Sequence, residues 1–519
     1  MKNFGAKSKK FFKQNYKSLI LLFCLSIFNL VLLCIGFKAH NLTFGKTFIL
    51  FVIVSILLEI ALTATVYFAN RHSWKIEKLF LILASIVGVI YVFAVPIGRT
   101  PDEASHFFRI YEITEGHFVS ETPTDGAMPG SNEPVEIGIV DEYANRNVTY
   151  AKIIESLGTT TGEETAFITT SAYGYSFISY LPQTIGMGIG KIFHAPFLVS
   201  AYLAKIANLI FCIGILFFCI KYIPFLKKII FFIVFLPISM QAMSSLSADA
   251  PIFVSAIALV TFVLHSIYTR KTPFTKKHFF ILLALCIFIT IGKIVYAPLL
   301  VLLFAIPKER FGTKKQKVFW AIGLGSLVMM VYLIWHFASP TTITNDGPAQ
   351  LSNIIHNPLL LPATIIYSIS RNVVLYISGA FGGYLEWFNI TPTMIYIIAS
   401  YTVFVILCYK ARLSFNIQKL LKILSCFAVF ATTVAIFTAM YITWTKSGES
   451  IIDGVQGRYF LPIMLLIPIC FLKIGSRSTT SKTIIEDNSS IISNKDYPLY
   501  IFIICETVYV ISTIATTHL

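Results

Sequence analysis

Runs of about 20 predominantly apolar residues recur along this chain, and they constrain its fold more than any other feature. A membrane-spanning helix needs about 20 such residues, and the runs lack the alternating pattern of barrel strands. We therefore predict an all-α polytopic membrane protein with about 13 transmembrane helices. The predicted spans are residues 18–36, 47–69, 78–98, 196–220, 229–246, 251–268, 278–291, 295–306, 318–338, 393–409, 420–443, 458–473 and 498–516.

The composition excludes a water-soluble protein. Hydrophobic residues make up 56% of the chain and charged residues only 13%, whereas a soluble domain carries about 25% charged residues. The remaining class is a multi-span helical bundle with the lipid bilayer as its partner.

The positive charge is concentrated in short loops. The 41 Lys and Arg outnumber the 25 Asp and Glu, for a net charge of +16, and the basic residues cluster in alternate loops between the predicted spans. Cytoplasmic loops are enriched in Lys and Arg in this way. We therefore predict a cytoplasmic N-terminus and no nucleic-acid partner.

Two segments between predicted spans are too long and too polar to be turns, and this topology makes both extracytoplasmic. The predicted organisation is an N-terminal three-span segment at 1–98, a large loop with an acidic motif at 99–195, a central bundle at 196–338, a second outer segment at 339–392 and a C-terminal transmembrane segment at 393–519. Both outer segments are expected to form juxtamembrane helices. The Ser- and Thr-rich residues 474–497 are predicted to be a flexible cytoplasmic linker.

All nine cysteines lie in apolar runs, with no CxxC pair. This pattern excludes a disulfide-stapled outer domain and a zinc site. The chain also lacks a Walker loop and HExxH and GxSxG motifs, so nucleotide hydrolysis and classical hydrolase mechanisms have no support.

The first candidate site follows the third span. Thr100, with Glu103 three residues later, predicts a capping box that opens a helix. On that helix Asp102, His106 and Arg109 are expected to share one face. The functional interpretation is a general base with orienting partners, and the alternative is a cap with a surface ion network.

The second candidate site lies around Gln241 and Asp249, between the fifth and sixth spans. A carboxylate near the membrane is costly and indicates function, although Asp249 also suits an N-cap. Lys293, followed by Tyr296, interrupts an apolar stretch and is predicted to bind an anion. The alternative for Lys293 is snorkelling to the interface.

The third candidate site is the segment Asp453–Pro462 at the start of the twelfth span. Arg458 follows Gly454 and Gly457, two glycines that are expected to let backbone N–H groups approach a ligand. An arginine in this setting suits bidentate phosphate recognition. The alternative is an interfacial belt of Arg458 and Tyr459, which would need neither the glycines nor Gln456.

These motifs resemble two known groups of proteins. The outer carboxylate after an early span and the arginine near a late span resemble the GT-C membrane glycosyltransferases. The stretches around Pro101–Arg109, Gln241–Asp249 and Gly454–Pro462 are similar to the bacterial membrane-protein family labelled domain of unknown function 2142. In many GT-C enzymes the first span leads into the catalytic loop, whereas here two spans precede that one.

The resemblance implies a GT-C-like fold in a bacterial plasma membrane, with an extracytoplasmic active site. It implies transfer of a sugar from a polyprenyl-phosphate donor to a cell-envelope glycan acceptor. No cofactor is required, although a divalent metal such as Mg or Mn would be compatible.

The resemblance also implies roles for the candidate residues. Asp102 would be the base, supported by Glu103 and His106, and Arg458, Lys293 and Arg109 would bind the donor phosphate. Substrate-binding roles fall to Asp249, Gln241, Gln456, Tyr459 and Tyr180.

Two other functions would require similar structural features. A transporter or flippase of lipid-linked saccharides would need the same cations and apolar groove, and a polysaccharide polymerase or ligase would share the polytopic body. A carrier should place ionisable residues along a path through the bundle, whereas here they gather at one face. We therefore favour the transferase, and we expect Asp102 and Arg458 to reach one outer cavity.

Overall fold

The computed structural model describes residues 2–123, 128–145, 148–269, 272–340, 347–475 and 491–519, with side chains from residue 15 onward. The predicted linker at 474–497 falls largely on residues 476–490, which lie outside the described residues.

The described chain is almost entirely helical. Its α-helices are α1 (Lys2–Ala39), α2 (Lys46–Arg71), α3 (Ile76–Ala94), α4 (Glu103–Thr114), α5 (Ile139–Asn145), α6 (Tyr150–Ser156), α7 (Leu181–Ile192), α8 (Phe197–Tyr222), α9 (Lys227–Phe235), α10 (Pro237–Met243), α11 (Asp249–Tyr268), α12 (Lys276–Gly292), α13 (Lys314–Ala338), α14 (Gly347–His356), α15 (Leu360–Ala380), α16 (Met394–Ser414), α17 (Lys419–Thr443), α18 (Leu461–Met464), α19 (Leu466–Phe471) and α20 (Tyr497–Thr517).

Short 3₁₀ helices and strands connect these helices. The 3₁₀ segments are Val135–Gly138, Phe177–Tyr180, Ile294–Ala305, Lys308–Arg310, Gly457–Phe460 and Asn494–Asp496. Strands β1 (Gly130–Pro134) and β2 (Thr165–Thr169) pair antiparallel, and β3 (Asn416–Ile417) pairs parallel with β4 (Lys473–Ile474).

Ten helices of the described residues are long and apolar enough to cross a membrane. Nine coincide with predicted spans, and the tenth is α15, which lies in the segment predicted to remain outside. Of the other four predicted spans, 278–291 forms the slightly shorter α12, and three are not single α-helices. Residues 229–246 divide into α9 and α10 at Pro237, 295–306 form a 3₁₀ helix that contains Pro298, and 458–473 are broken around Pro462.

The count of 13 is therefore not confirmed as a count of long helices. Proline lacks an N–H donor and clashes with the preceding helical turn, so it divides helices that hydropathy alone would join. Irregular backbone at membrane depth is tolerated where protein surrounds it, and α9 and α10 meet this condition because almost all their residues are buried.

The centre of the bundle is formed by α9, α10, α11 and α20. In the most apolar stretch of α11 and in that of α20, 83% of the residues are buried inside the protein. In the corresponding stretches of α1 and α13, only 11% are buried. The helices α1 and α2 pack onto the bundle chiefly through α20.

Residues 99–195 form a second, smaller hydrophobic core at one end of the bundle. Helices α4, α5 and α7 supply Phe107, Val140 and Met187, and these pack with Phe197 and Ala201 at the start of α8. We call this end the site end, because α3 finishes there and α8 and α11 begin there. Lysines flank the opposite ends of several helices, as with Lys75, Lys221 and Lys276.

Candidate functional site

Four segments that are far apart in the sequence converge at the site end. Asp102 lies between α3 and α4, Asp249 begins α11, Lys293 follows α12, and Arg458 lies in the 3₁₀ turn before α18. We call these four residues the charge cluster. Their side chains form two linked pairs, each of one carboxylate and one cation.

The backbone at Asp102 is unusual. Helix α4 begins at Glu103, and Asp102 precedes it with φ of 64° and ψ of 9°, in the left-handed region. Asp adopts this conformation more readily than most residues, at some cost in energy. The conformation leaves the carboxylate free of capping, and its side chain remains 37% exposed.

Arg458, which lies late in the sequence, contacts Asp102 and its neighbour Pro101. Its Nη2 donates to Asp102 Oδ2, and its Nη1 donates to the carbonyl of Pro101 at 3.1 Å. Its Nε lies 3.7 Å from Asp249 Oδ2. Asp102 and Arg458 are therefore in direct contact, and Arg458 touches both carboxylates. That both reach one outer cavity stays a prediction.

Asp249 and Lys293 form the second pair, with Oδ1 and Nζ 2.6 Å apart. Helix α11 begins at Asp249 itself, and Ser247 Oγ accepts the Asp249 N–H at 3.1 Å. Ser247 therefore does the capping that sequence reasoning had considered for Asp249. The Asp249 carboxylate is left to interact with cations near the positive end of the helix dipole.

The surroundings hold Asp102 in its charged form. Burial raises the pKa of the Asp102 carboxyl, but the charge and hydrogen bond of Arg458, together with the smaller effects of His106 and Lys293, outweigh burial and lower this pKa below its usual value. The pKa of Arg458 is raised, since the neighbouring tyrosine and carboxylates outweigh the effect of its burial. The Asp102–Arg458 pair is therefore fully ionised at neutral pH.

A small cavity lies against the charge cluster. Its volume is about 20 Å³, which accommodates about one water molecule. Three buried polar atoms on its walls, Thr100 Oγ1, Gln241 Nε2 and Arg458 Nε, have no hydrogen-bond partner among the described residues. Buried polar groups are normally paired, so these atoms indicate a place where a polar ligand could bind.

His106 lies beside the cluster but does not hydrogen-bond to the Asp102 carboxylate. Its Nδ1 lies 2.5 Å from Tyr180 Oη and its Nε2 lies 3.4 Å from Ser247 Oγ. Burial lowers the pKa of His106 to about 4, despite the nearby carboxylates. His106 is therefore neutral at physiological pH, and Tyr180, which is fully buried, supports this imidazole rather than lining the cavity.

The Glu103 carboxylate is surrounded by backbone N–H groups. Its Oε2 accepts the N–H groups of Gly98 and Thr100 at 3.1 Å each, and its Oε1 accepts the Leu246 N–H at 3.1 Å. Lys205 Nζ lies 3.9 Å from Oε1, and the Glu103 side chain is fully buried. The predicted capping box is half present, because Glu103 reaches back to Thr100 but Thr100 Oγ1 caps nothing. The contacts of Glu103 thus hold the backbone around Asp102 and Leu246 in place.

Arg109 does not join the other cations. Its guanidinium pairs with Glu112 at 2.6 Å and donates to the carbonyls of His117 and Phe118. This fully buried side chain fixes the loop after α4. Among the described residues, Arg109 contacts no member of the charge cluster, so the structure gives no support to its predicted role in binding a donor phosphate.

The two glycines before Arg458 serve packing rather than a backbone anion site. A Cβ on Gly457 would lie 2.2 Å from Ala380 N, and a Cβ on Gly454, whose φ is +77°, would meet Trp444 at 2.5 Å. Their absent side chains let the end of α15 and the loop after α17 approach closely. This contact fixes the turn that presents Arg458.

Tyr459 lies between the cations of the cluster. Its ring centroid is 4.5 Å from Lys293 Nζ and 5.4 Å from the Arg458 guanidinium carbon. Its carbonyl accepts the hydroxyl of Tyr296 at 2.9 Å. Gln456 is half-buried at the start of the same turn, and no hydrogen bond of its side chain to the cluster is present among the described residues.

A second polar network supports the segment that holds Asp102, and sequence reasoning missed it. Arg99 pairs with Glu386 at 3.1 Å, and the other Glu386 oxygen lies 2.6 Å from His518 Nε2. The Glu386 N–H donates to Gln241 Oε1 at 3.3 Å, and Gln241 is one of the residues that line the small cavity. Nothing in the sequence around His518 indicates its contact with Glu386. Lys205, in contrast, is a charged residue within a predicted span, and such a residue indicates a buried polar contact.

An apolar groove runs along the bundle and begins near the charge cluster in the chain, at Phe460. It lies between α15, α16, α17 and the α18–α19 segment, with a volume of about 630 Å³. Phe460 and Tyr376 line it at the site end, and Arg412 and Phe471 line it at the opposite end. Phe460 is two residues from Arg458, so the groove and the charge cluster are neighbours in the chain.

Within the described residues, no group of three or more His, Cys, Asp or Glu is arranged to hold a metal ion. The two carboxylates of the cluster already face cations.

Comparison with known proteins gives one match. The profile of a family described as a predicted membrane protein, domain of unknown function 2142, matches residues 83–467. The matched region covers more than half of the chain and contains all four residues of the charge cluster. No curated protein and no solved structure matches significantly.

Proposed function

We propose that this chain, a member of the domain of unknown function 2142 family of predicted membrane proteins, works within the bilayer as a GT-C-like glycosyltransferase. In this proposal it moves a sugar from a polyprenyl-phosphate donor to a cell-envelope glycan acceptor on the extracytoplasmic side. The observation that carries the proposal is the charge cluster, with an apolar groove whose lining residue Phe460 is two residues from Arg458.

The donor phosphate would bind to Arg458 and Lys293. A guanidinium recognises phosphate through two parallel N–H bonds, and Arg458 Nε and Nη2 can form such a fork once Asp102 releases Nη2. The ammonium of Lys293 adds a second positive charge beside Tyr459. Since the cavity has room for about one water molecule, the ion pairs have to open for the donor to enter.

The polyprenyl tail would lie in the apolar groove. The groove follows α16 from Tyr401 to Arg412, a distance of about 16 Å at 1.5 Å per helical residue. Several isoprene units fit along this length, and burying them in an apolar groove is favourable. Phe460 would contact the tail near the phosphate that Arg458 holds.

Asp102 would be the general base. The acceptor hydroxyl attacks the anomeric carbon of the sugar, the bond between that carbon and the phosphate oxygen breaks, and Asp102 takes the hydroxyl proton. Polyprenyl phosphate leaves with the bonding electrons, and its charge is stabilised by Arg458 and Lys293, which donor binding has already released from their carboxylates. Asp102 is suited to this step because its carboxylate is half-exposed and free of capping.

Binding of the phosphate would also activate the base. Arg458 lowers the pKa of Asp102, and a weaker base removes protons less readily. A phosphate that takes over the guanidinium would relieve this effect. Donor binding would therefore release the carboxylate and restore its basicity in one event.

The proposal is tested with purified protein in nanodiscs and a polyprenyl-phosphate sugar. The assay follows release of polyprenyl phosphate and glycosylation of an added acceptor glycan. Asp102→Asn keeps the shape of the side chain but cannot accept a proton, so we expect turnover to fall by about 10²-fold or more. The matched control is Asp453→Asn, an exposed carboxylate in the Arg458 segment, which should retain activity.

Two results would contradict the proposal. Full transferase activity of Asp102→Asn would remove the base, and movement of intact donor across the bilayer without bond cleavage would indicate a flippase. In cells, a deletion strain should accumulate the polyprenyl-phosphate sugar, and its lipid extract identifies the sugar.

A further inference from the structure

A buried carboxylate lies far from the charge cluster, in the middle of α2. Glu59 is 3% exposed. Its Oε1 accepts Asn29 Nδ2 at 2.6 Å and its Oε2 accepts the hydroxyl of Ser26, both on α1. The same Asn29 amide group donates to the carbonyl of Cys505 on α20 at 2.9 Å.

The orientation of Asn29 is determined by its neighbours. Its Oδ1 accepts the hydroxyl of Tyr396 at 2.6 Å, so its two N–H groups face the carboxylate and the Cys505 carbonyl. If the amide were reversed, its oxygen would face two acceptors. Oε1 of Glu59 therefore receives a fixed donor, and both carboxylate oxygens are hydrogen-bonded as expected for the ionised form.

Glu59 has no protein counter-charge. Among the residues that the structure describes, no Lys, Arg or His lies within ion-pair distance of its carboxylate. An ionised carboxylate in a low-dielectric setting costs several kcal/mol unless a positive charge compensates it. The described residues therefore leave the charge of an ionised Glu59 open to compensation by a bound cation.

A cavity beside Glu59 has the chemistry to hold that charge. Its volume is about 30 Å³, the size of one water molecule or one small ion. Its polar walls are hydroxyls contributed by α1, α2 and α20, namely Ser26, Ser55, Ser512, Thr513 and Thr516.

Most hydroxyl groups that line this cavity donate their hydrogens to other groups of the protein. Thr513 donates to the Tyr509 carbonyl and Thr516 to the Thr513 carbonyl, while Ser55 and Ser512 bond to each other at 3.0 Å. Oxygen lone pairs remain available in the cavity. A carboxylate with several hydroxyl oxygens is a ligand set that hard cations prefer.

We propose that Glu59 and these hydroxyls form a binding site for one sodium ion between α1, α2 and α20. One carboxylate balances a single positive charge, so the site suits a monovalent cation better than Ca²⁺ or Mg²⁺, which generally take more charged ligands. The three helices lie outside residues 83–467, the region that the family profile matches. Bound sodium would tie these helices together at membrane depth.

The first test measures thermal unfolding of the full chain in detergent, in NaCl or in choline chloride of equal ionic strength. A ligand that binds only the folded state shifts the folding equilibrium about a hundredfold at 100 times its Kd. We expect sodium to raise the unfolding temperature saturably in the parent and to have no such effect in Glu59→Gln. Glu506→Gln, which alters a buried carboxyl that accepts Ser400 Oγ at 2.5 Å, should keep the sodium effect.

Equal unfolding temperatures of the parent in the two salts would overturn the proposal, and so would a sodium effect that persists in Glu59→Gln. The second test needs only the parent chain. Dicyclohexylcarbodiimide adds to protonated carboxyls in membranes, so bound sodium should slow its addition to Glu59, as measured by peptide mass spectrometry. Addition at Glu59 that sodium does not slow would identify a proton site and overturn the sodium proposal.

Discussion

Replacing Glu103 by Gln separates a structural role from a catalytic one. The Glu103 carboxylate accepts three backbone N–H groups, from Gly98, Thr100 and Leu246, and it lies 3.9 Å from Lys205 Nζ. Gln supplies one oxygen and one NH₂ group. In either orientation, the NH₂ group faces at least one N–H donor that it cannot satisfy.

The less costly orientation directs the NH₂ group of Gln towards Leu246 and Lys205. It removes one charge-assisted hydrogen bond, worth about 1.5–3 kcal/mol, and leaves the buried ammonium of Lys205 without its carboxylate. Removing one partner of a buried pair costs about 3–5 kcal/mol. The two effects overlap, so we expect the free energy of unfolding to fall by about 3–5 kcal/mol.

The assay is equilibrium unfolding in mixed micelles of increasing SDS content, together with transferase activity of the folded fraction. Glu449→Gln, on an exposed loop, is the control and should change stability by less than about 0.5 kcal/mol. Adding Lys205→Met to Glu103→Gln should recover part of the loss, because no uncompensated charge remains. A Glu103→Gln protein of near-parental stability that lacks activity would refute this reasoning and return Glu103 to the catalytic group.

The remaining predictions concern the turn at Arg458 and the imidazole beside it. Arg458→Lys keeps the charge but loses the fork, so the apparent affinity for a polyprenyl-phosphate sugar should fall about 10- to 150-fold; an unchanged affinity with normal turnover would eliminate the phosphate role. Gly457→Ala places a Cβ 2.2 Å from Ala380 N and should destabilise the protein by about 1–3 kcal/mol, whereas Gly323→Ala, with no atom within 4 Å, should not. Burial lowers the pKa of His106 from 6.5 to about 4, so only the unfolded chain binds this proton between those pH values. Stability should therefore decrease as pH falls from 6.5 to 4, by up to about 3 kcal/mol, and an equal slope in His106→Gln would contradict this assignment.

Hydropathy correctly predicted which segments of the chain are apolar, but it did not predict which of them form one continuous helix. The long helices α1, α2, α3, α8 and α17 match predicted spans because none of them contains a proline. The segments with Pro237, Pro298 and Pro462 are as apolar, yet proline divides them or forces a 3₁₀ geometry. These prolines were visible in the sequence, and giving them more weight would have lowered the predicted number of long helices.

The sequence predicted which residues belong to the candidate site better than it predicted the role of each one. Charged residues next to spans identified Asp102, Asp249, Lys293 and Arg458, and the structure brings these four together. The environment of Glu103 was not predictable, because its burial depends on Leu246 and Lys205, more than 100 residues away in the sequence. Local spacing shows which residues share a helix face, whereas partners from distant helices decide which side chains remain free.

The separation of Asp102 and Arg458 by 356 residues has a consequence for the biogenesis of the protein. At a synthesis rate of about 5–20 residues per second, Arg458 emerges about 20–70 s after Asp102. Asp249 and Lys293 are on neighbouring helices and can pair during this interval, while Asp102 has no arginine to face. A nascent chain that stalls before residue 458 would carry both carboxylates with a single cation, so an insertion intermediate should be recognisable by an Asp102 that carbodiimides and amines can still modify.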